Sequence, residues 1–175
     1  MASFYFLGVI MKVIIEKEQF NRTLKRMTHE IIERNEDLSK VILVGIERKG
    51  TPIAKEIKEL IKTFENVDIE IDSIDISGHR DDHKRTDDIK INFKSNINDK
   101  IIILVDDVLY TGRSVRARMD AIIDMGRPAK IELAVFVDRG HRELPIRADF
   151  IGKNVPTSRE ELVVCDYQNR EVYIK

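Results

Sequence analysis

Short apolar runs rich in β-branched residues alternate with amphipathic helical segments, and this alternation constrains the fold more than any other feature. Helices are predicted near residues 18–35, 52–64 and 114–125. Strands are predicted at Val41–Ile46, Ile69–Ile76, Ile101–Val105, Ile131–Val137 and Ala148–Ile151. Nearly continuous apolar strands are typical of a parallel sheet that is covered on both faces. The alternation therefore predicts an α/β fold with a central, mostly parallel sheet flanked by helices.

Length and composition fit one globular domain. The 175 residues, of which 42% are hydrophobic and 35% charged, can bury a sizeable core beneath a charged surface. The net charge of −1 gives no general attraction to nucleic acid, so an RNA site would need a local basic patch. The single cysteine, Cys165, excludes an intramolecular disulfide and a cysteine-based metal site, and it favours a reducing, cytoplasmic setting.

The N-terminal segment is interpreted separately from the domain. Phe4–Ile10 is apolar, but it is too short to span a bilayer and no basic residue precedes it, so it is a poor signal peptide. Met11 is a plausible start. We therefore predict that residues 1–11 are an extension of uncertain role and that residues 12–175 form a single domain. Within that domain, the charged stretch 78–98 predicts a mobile loop with room for one small strand.

The most informative segment is Ile101–Ser114, where a buried strand runs into two adjacent carboxylates, Asp106 and Asp107, and then into a Thr-Gly turn that opens a helix. A helix N-terminus offers free backbone N–H groups to an anion, and Gly112 lets the backbone approach a phosphate closely. Carboxylates cannot bind that phosphate, but they accept hydrogen bonds from vicinal hydroxyls. The segment therefore predicts a ribose 5-phosphate site.

Other interpretations of this segment are weaker. Acidic residues that only cap a strand would need neither the second carboxylate nor the Thr-Gly turn. No Gly-x-x-x-x-Gly-Lys sequence is present, which argues against a P-loop nucleotide hydrolase. No Gly-x-Gly-x-x-Gly sequence is present, which argues against a dinucleotide-binding fold.

The segment Val105–Arg113 closely resembles the phosphoribosyl pyrophosphate (PRPP) loop of type I phosphoribosyltransferases. Its form is similar to that of the bacterial pyrimidine-operon attenuators with uracil phosphoribosyltransferase activity. Thr28–Asn35, Met125–Pro128 and Val137–Ser158 are similar to the same family. The resemblance covers about residues 12–160 and implies the type I phosphoribosyltransferase fold, with a mobile flap loop that closes over the site.

The resemblance also implies roles for individual residues. Asp106 and Asp107 would hold the ribose hydroxyls, and the turn at Gly45–Gly50 would bind the pyrophosphate. The residues predicted for catalysis are Asp106, Asp107, Arg48 and Lys49. The residues predicted to bind PRPP or UMP are these four together with Gly50, Tyr110, Thr111, Gly112, Arg113, Ser114, Phe136, Val137, Asp138 and Arg139. Mg²⁺ would arrive with the substrate, and no protein side chain is predicted to bind it directly.

Tyr110 helps to predict the base. Purine-specific relatives usually carry an aspartate immediately before the Thr-Gly pair, whereas Tyr110 offers a phenol, which is a poor general base near neutral pH. This favours a pyrimidine. A plain packing role for Tyr110 is equally compatible with the sequence.

Two basic segments bear on RNA binding. Residues 138–159 carry five lysines and arginines against three carboxylates, and residues 21–34 carry four against two. Taken alone, each is compatible with a solvated surface. If the fold brings them together, they form the local basic patch that RNA binding requires. By resemblance, the predicted RNA-binding residues are Arg26, His29, Arg34, His141, Arg142, Arg147 and Lys153.

Together these features predict an enzyme that converts uracil and PRPP to UMP and pyrophosphate, and that also regulates pyrimidine genes by uridine-nucleotide-dependent binding to leader mRNA. A homodimer or higher homo-oligomer is expected. Two alternatives remain: a salvage enzyme without an RNA role, and an RNA regulator with little catalysis. Lys49, where the family often carries arginine, and the unusual Ser77–Asp82 segment favour the second.

Overall fold

Five parallel strands form the centre of the computed structural model, which describes residues 3–6, 9–76 and 89–175. The six-stranded sheet has the order β5-β4-β3-β6-β7-β8, and only the edge strand β5 runs antiparallel to its neighbour. Its strands are β3 (Val41–Ile46), β4 (Glu70–Ile76), β5 (Ile89–Asn92), β6 (Ile101–Leu109), β7 (Lys130–Asp138) and β8 (Phe150–Asn154). The predicted fold class is confirmed.

Three helices cover this sheet: α1 (Lys17–Arg34), α2 (Glu47–Glu65) and α3 (Arg113–Met125). The predicted apolar stripe of α1 is fully buried, and it consists of Phe20, Leu24, Met27 and Ile31. Burial of each such side chain contributes roughly 1.5–3 kcal/mol. One core cluster joins α1 and α2 to one face of the sheet, and a second joins α3 to the other. The central strands are therefore packed against helices on both faces of the sheet.

A second, four-stranded antiparallel sheet joins the two ends of the chain in the order β1-β2-β10-β9. It consists of β1 (Ser3–Phe6), β2 (Val9–Ile15), β9 (Val163–Asp166) and β10 (Glu171–Ile174). The boundary predicted at residue 11 lies inside β2, which pairs with β10. Sequence patterns did not predict this sheet, because its short strands form through pairing between distant segments.

The bounds of three predicted elements were wrong. The strand predicted at Ala148–Ile151 is β8, which spans Phe150–Asn154. The strand expected to end at Val105 continues to Leu109, because β7 pairs with it as far as Asp138. The helix expected from residue 52 begins at Glu47, although Pro52 is typical of a first turn. Glu47 has a φ of 48°, the left-handed region that few residues other than glycine occupy. The chain therefore turns from β3 into α2 at a single residue.

The predicted mobile loop falls largely outside the described residues. Ile89–Asn92 forms the small strand β5, while residues 77–88, which include the whole Ser77–Asp82 segment, lie outside the description. Within the described parts of the chain, no helix is long and apolar enough to cross a membrane.

Candidate phosphoribosyl site

The two predicted carboxylates lie near the carboxyl end of the central strand β6, where open α/β sheets bind their ligands. Neighbouring side chains of a strand point to opposite sides, and the contacts follow this rule. Asp107 is buried, and its Oδ2 lies 3.7 Å from the Nζ of Lys49 on α2. Asp106 lies on the α3 side, where the charge of Arg118 acts on it. The pair therefore straddles the end of the strand.

Burial raises the pKa of the Asp106 carboxyl well above its ordinary value, and the neighbouring Asp107 raises it further. The backbone N–H of Asp107 donates to Asp106 Oδ1 at 2.9 Å, which opposes the rise. Two ionised carboxylates this close disfavour one another. The site is therefore suited to hydroxyl groups, which can donate to carboxylate oxygens.

The Thr-Gly turn has the geometry of an anion site. Gly112 is the N-cap of α3 with a φ of 88°, and no side chain caps the helix. The N–H groups of Ser114 and Val115, in the first turn of α3, therefore remain available to an anion. The Thr111 hydroxyl accepts from the Arg113 N–H at 3.3 Å. The guanidinium of Arg113 points away to Glu143, at 2.9 Å, so this residue offers its backbone to the turn and not its charge.

The predicted pyrophosphate turn lies against the same strand end. Arg48 and Lys49 are exposed on the first turn of α2. Gly50 is buried, and a Cβ added to it would lie 2.1 Å from the carbonyl oxygen of Val105. Gly50 is therefore required for close packing of α2 on β6, which brings Lys49 to Asp107. The structure brings the two predicted turns together.

The residues predicted around the base divide into two groups. Phe136 and Val137 have fully buried side chains, and the ring of Phe136 packs on Phe20 with centroids 4.3 Å apart. They can offer only their backbone to a ligand. Asp138 and Arg139 are also buried. Asp138 accepts from the N–H of Gly140 at 2.8 Å.

Tyr110 lies at the edge of this region and is 37% exposed. The Arg139 guanidinium lies 4.2 Å from the centre of its ring, and the ring of His141 meets it edge-on at 5.6 Å. Arg139 also donates to Thr157 Oγ1 at 3.1 Å, and His141 Nε2 lies 2.6 Å from the Thr157 carbonyl oxygen. A cavity of about 260 Å³ adjoins this group.

The two basic segments meet where α1 packs beside β8. Arg26, Arg34 and Arg147 line a cleft of about 470 Å³ together with Glu30 and Asp149. Arg26 pairs with Glu30 at 2.6 Å, and Arg34 pairs with Asp149 at 3.1 Å. Arg147 has no ion-pair partner among the described residues. Most of the cleft's positive charge is therefore already balanced by carboxylates.

The other predicted RNA residues are spread more widely. His29 stacks on Phe64 of α2, with ring centres 4.4 Å apart, and Lys153 donates to the carbonyl of Ile14 at 3.4 Å. His141 and Arg142 line the cavity beside Tyr110 instead of the cleft. The seven residues thus occupy several neighbouring places and not one uniform stripe.

Three residues near the site were missed by sequence reasoning. Arg118 is buried under the Thr-Gly turn and pairs with Glu47, and Cys165 of β9 lies near Asp107. Burial, with the charge of Asp107, raises the pKa of the Cys165 thiol to about 12. The i, i+4 spacing of Ser114 and Arg118 was the one available signal, since it places both on one helix face.

The described residues contain no group of three or more histidines, cysteines or carboxylates that could hold a metal ion.

The fold and the two facing turns define a phosphoribosyltransferase, and the family described as "Phosphoribosyl transferase domain" matches residues 14–169. A hypoxanthine phosphoribosyltransferase of Trypanosoma cruzi has a TM-score of 0.75 at 16% identity, covering 93% of this chain and 95% of that one. One from Staphylococcus aureus has a TM-score of 0.73 at 19% identity, covering 92% and 89%. These similarities establish the fold.

Relatives of higher sequence identity identify the family more specifically. The "Bifunctional protein PyrR" of Clostridium kluyveri is 54% identical over 154 residues, covering 86% of this chain and 87% of that protein. The protein of the same name from Fusobacterium nucleatum is 48% identical over 173 residues, covering 97% and 94%. The chain therefore belongs to the PyrR family, which confirms the predicted family and the predicted class of enzyme.

Proposed function

We propose that this chain transfers the phosphoribosyl group of PRPP to uracil, and that its nucleotide-bound form binds the leader RNA of pyrimidine biosynthesis messages. The observation that carries the first activity is the contact of Lys49 with Asp107, because it joins the predicted pyrophosphate turn to the predicted ribose site. The description of the relatives as bifunctional favours two activities over a salvage enzyme alone.

In the proposed reaction the bond between ribose C1 and a pyrophosphate oxygen breaks, and the pyrophosphate leaves with the electron pair. A bond forms between C1 and the uracil nitrogen, which releases its proton to solvent. Asp106 and Asp107 hold the ribose hydroxyls, while the first N–H groups of α3 hold the 5-phosphate. Arg48 and Lys49 offset the charge of the leaving group. Positioning accounts for most of the catalysis, since no protein nucleophile is needed.

Phosphoribosyltransferases generally use Mg²⁺ together with PRPP. When bound with the diphosphate, the ion supplies further neutralisation of the leaving group. The proposal also includes a cytoplasmic location. It further includes a homo-oligomer, and sedimentation of the purified protein would reveal that oligomer.

The enzymatic half is tested by UMP formation from uracil and PRPP with Mg²⁺. Asp107→Asn should lower kcat/KM about 10- to 150-fold, because a charge-assisted hydrogen bond to a ribose hydroxyl is lost. Arg116→Met, on the exposed side of α3 where Arg116 pairs with Asp120, is the control and should match the wild type. No UMP from the wild-type protein would favour a regulator with little catalysis.

The RNA half is tested with a pyrimidine-operon leader stem-loop and a scrambled RNA, each with and without UMP. Specific binding that UMP strengthens would support coupled sites. Arg147→Ala should weaken binding at all salt concentrations and reduce the salt slope by about one, because this arginine of the cleft has no carboxylate partner among the described residues. Binding that ignores sequence and disappears with salt would be plain electrostatics and would exclude the regulatory role.

A further inference from the structure

A buried arginine connects the two turns of the candidate site. Arg118, on α3, is 5% exposed. Its guanidinium donates to the carbonyl oxygen of Ser114 at 2.7 Å, to the hydroxyl of Ser114, and to the carboxylate of Glu47. Ser114 belongs to the 5-phosphate turn, and Glu47 lies within the pyrophosphate turn, where it opens α2. One side chain therefore spans both turns.

Glu47 is an unexpected residue at this position. Glu47 immediately precedes Arg48 and Lys49 in the chain, and a strongly negative diphosphate would bind at those two residues. An uncompensated carboxylate there would repel the ligand. Glu47 also has the left-handed φ of 48°, so the conformation of the turn depends on contacts that hold this residue in place.

Arg118 depends on Glu47 in return. A buried cation is destabilising unless a carboxylate balances it, and Glu47 is its ion-pair partner among the described residues. The Nε of Arg118 has no hydrogen-bond partner there, so the other two guanidinium nitrogens make all of its contacts. Arg118 and Glu47 therefore neutralise each other's charge between the two anion-binding turns.

We propose, building on the proposed function, that Arg118 is a positioning residue that neutralises Glu47 between the pyrophosphate turn and the 5-phosphate turn. Through this pair, Arg48 and Lys49 present a net positive surface to PRPP and to pyrophosphate. The pair lies between the two phosphate-binding turns, so we expect it to affect the diphosphate ligands selectively.

The test is a double-mutant cycle read by calorimetric binding of Mg-pyrophosphate and Mg-PRPP to the full chain. Arg118→Met should weaken binding of both about tenfold or more, since Glu47 is left uncompensated. Glu47→Gln alone should bind pyrophosphate at least as tightly as the wild type. The double variant should recover most of the lost affinity. Arg116→Met, on the same helix, is the matched control and should bind normally.

Steady-state kinetics supply a second readout. Arg118→Met should raise KM for PRPP in step with the binding loss, while KM for uracil stays within about twofold. The proposal is overturned if Arg118→Met binds pyrophosphate normally, if the double variant is no better than Arg118→Met, or if Glu47→Gln alone loses fivefold or more. Because Glu47 is partly exposed, Glu47→Gln gives a result even if Arg118→Met does not fold. Binding requires no turnover, so an inactive wild type would count against the proposed activity and leave this cycle interpretable.

Discussion

Replacing Gly50 with alanine should impair the enzyme without touching any charged group of the site. A Cβ at this position would lie 2.1 Å from the Val105 carbonyl oxygen, 3.0 Å from its carbonyl carbon and 3.1 Å from Asp106 Cα. An ordinary C···O contact is about 3.3 Å, so α2 must move away from β6 by about 1 Å. All three neighbours are backbone atoms, so no side-chain rotation can relieve the clash.

The size of the effect follows from this displacement. Overpacking of this kind costs about 3 kcal/mol at its upper end, and the better helix propensity of alanine returns about 1 kcal/mol. A net loss of about 2 kcal/mol lowers Tm by roughly 4–8 °C in a chain of this size. A shift of about 1 Å between Lys49 and Asp107 should lower kcat/KM roughly 100-fold.

Thermal unfolding and UMP formation measure the two effects on one preparation. Gly126→Ala is the matched control, because its added Cβ meets mainly side-chain atoms of Ile97 and Asn98, which can move, at the far end of α3. It should retain normal kcat/KM. If Gly50→Ala were as active as the wild type and more stable, helix propensity would outweigh the clash, and the close approach of α2 to β6 would not matter.

Three further predictions concern single side chains. Asp106→Asn should remove a pH dependence of the free energy of unfolding. Because the pKa of Asp106 is raised, the wild-type protein loses stability as pH rises from 3.8 through the folded-state pKa. Urea unfolding should therefore show the variant gaining stability relative to the wild type across that window, and parallel curves would contradict this. Glu56→Ala should cost about 1–3 kcal/mol in urea unfolding, because the carboxylate accepts from the Tyr167 hydroxyl at 2.5 Å and from Arg170 at 2.8 Å. An unchanged midpoint would show that this cluster adds nothing. Tyr110→Phe should keep kcat/KM within about twofold, whereas a loss of 100-fold would indicate that the phenol takes part in proton transfer.

Sequence patterns predicted the parts of the fold that depend on local periodicity. Phe20, Leu24, Met27 and Ile31 recur at helical spacing, so the buried face of α1 was predictable. The end of β6 was not, because Asp106 and Asp107 resemble a strand boundary while their backbone continues to pair with β7. Pairing across a sheet is a property of two segments, and no pattern within one of them reveals it.

The candidate site shows the same division. Its two turns were predictable because each is a short segment with its own chemistry. The ion pair of Glu47 and Arg118 joins residues 71 positions apart, and only the folded sheet brings them together. Phe136 was predicted beside the base, yet its ring belongs to the core, because a fully apolar strand does not disclose which side chains face a ligand.

Cys165 in the small sheet can report how often that sheet opens. β10 pairs with β2 across most of the length of the chain, and β9 pairs with β10. Such long-range contacts close the largest loops. Cys165, the single cysteine, is buried in β9, and its pKa of about 12 leaves almost no thiolate near neutral pH. A thiol reagent can therefore react only when this sheet separates. The labelling rate then measures how often the small sheet opens at Cys165, and PRPP should slow the labelling if ligand binding keeps this sheet closed.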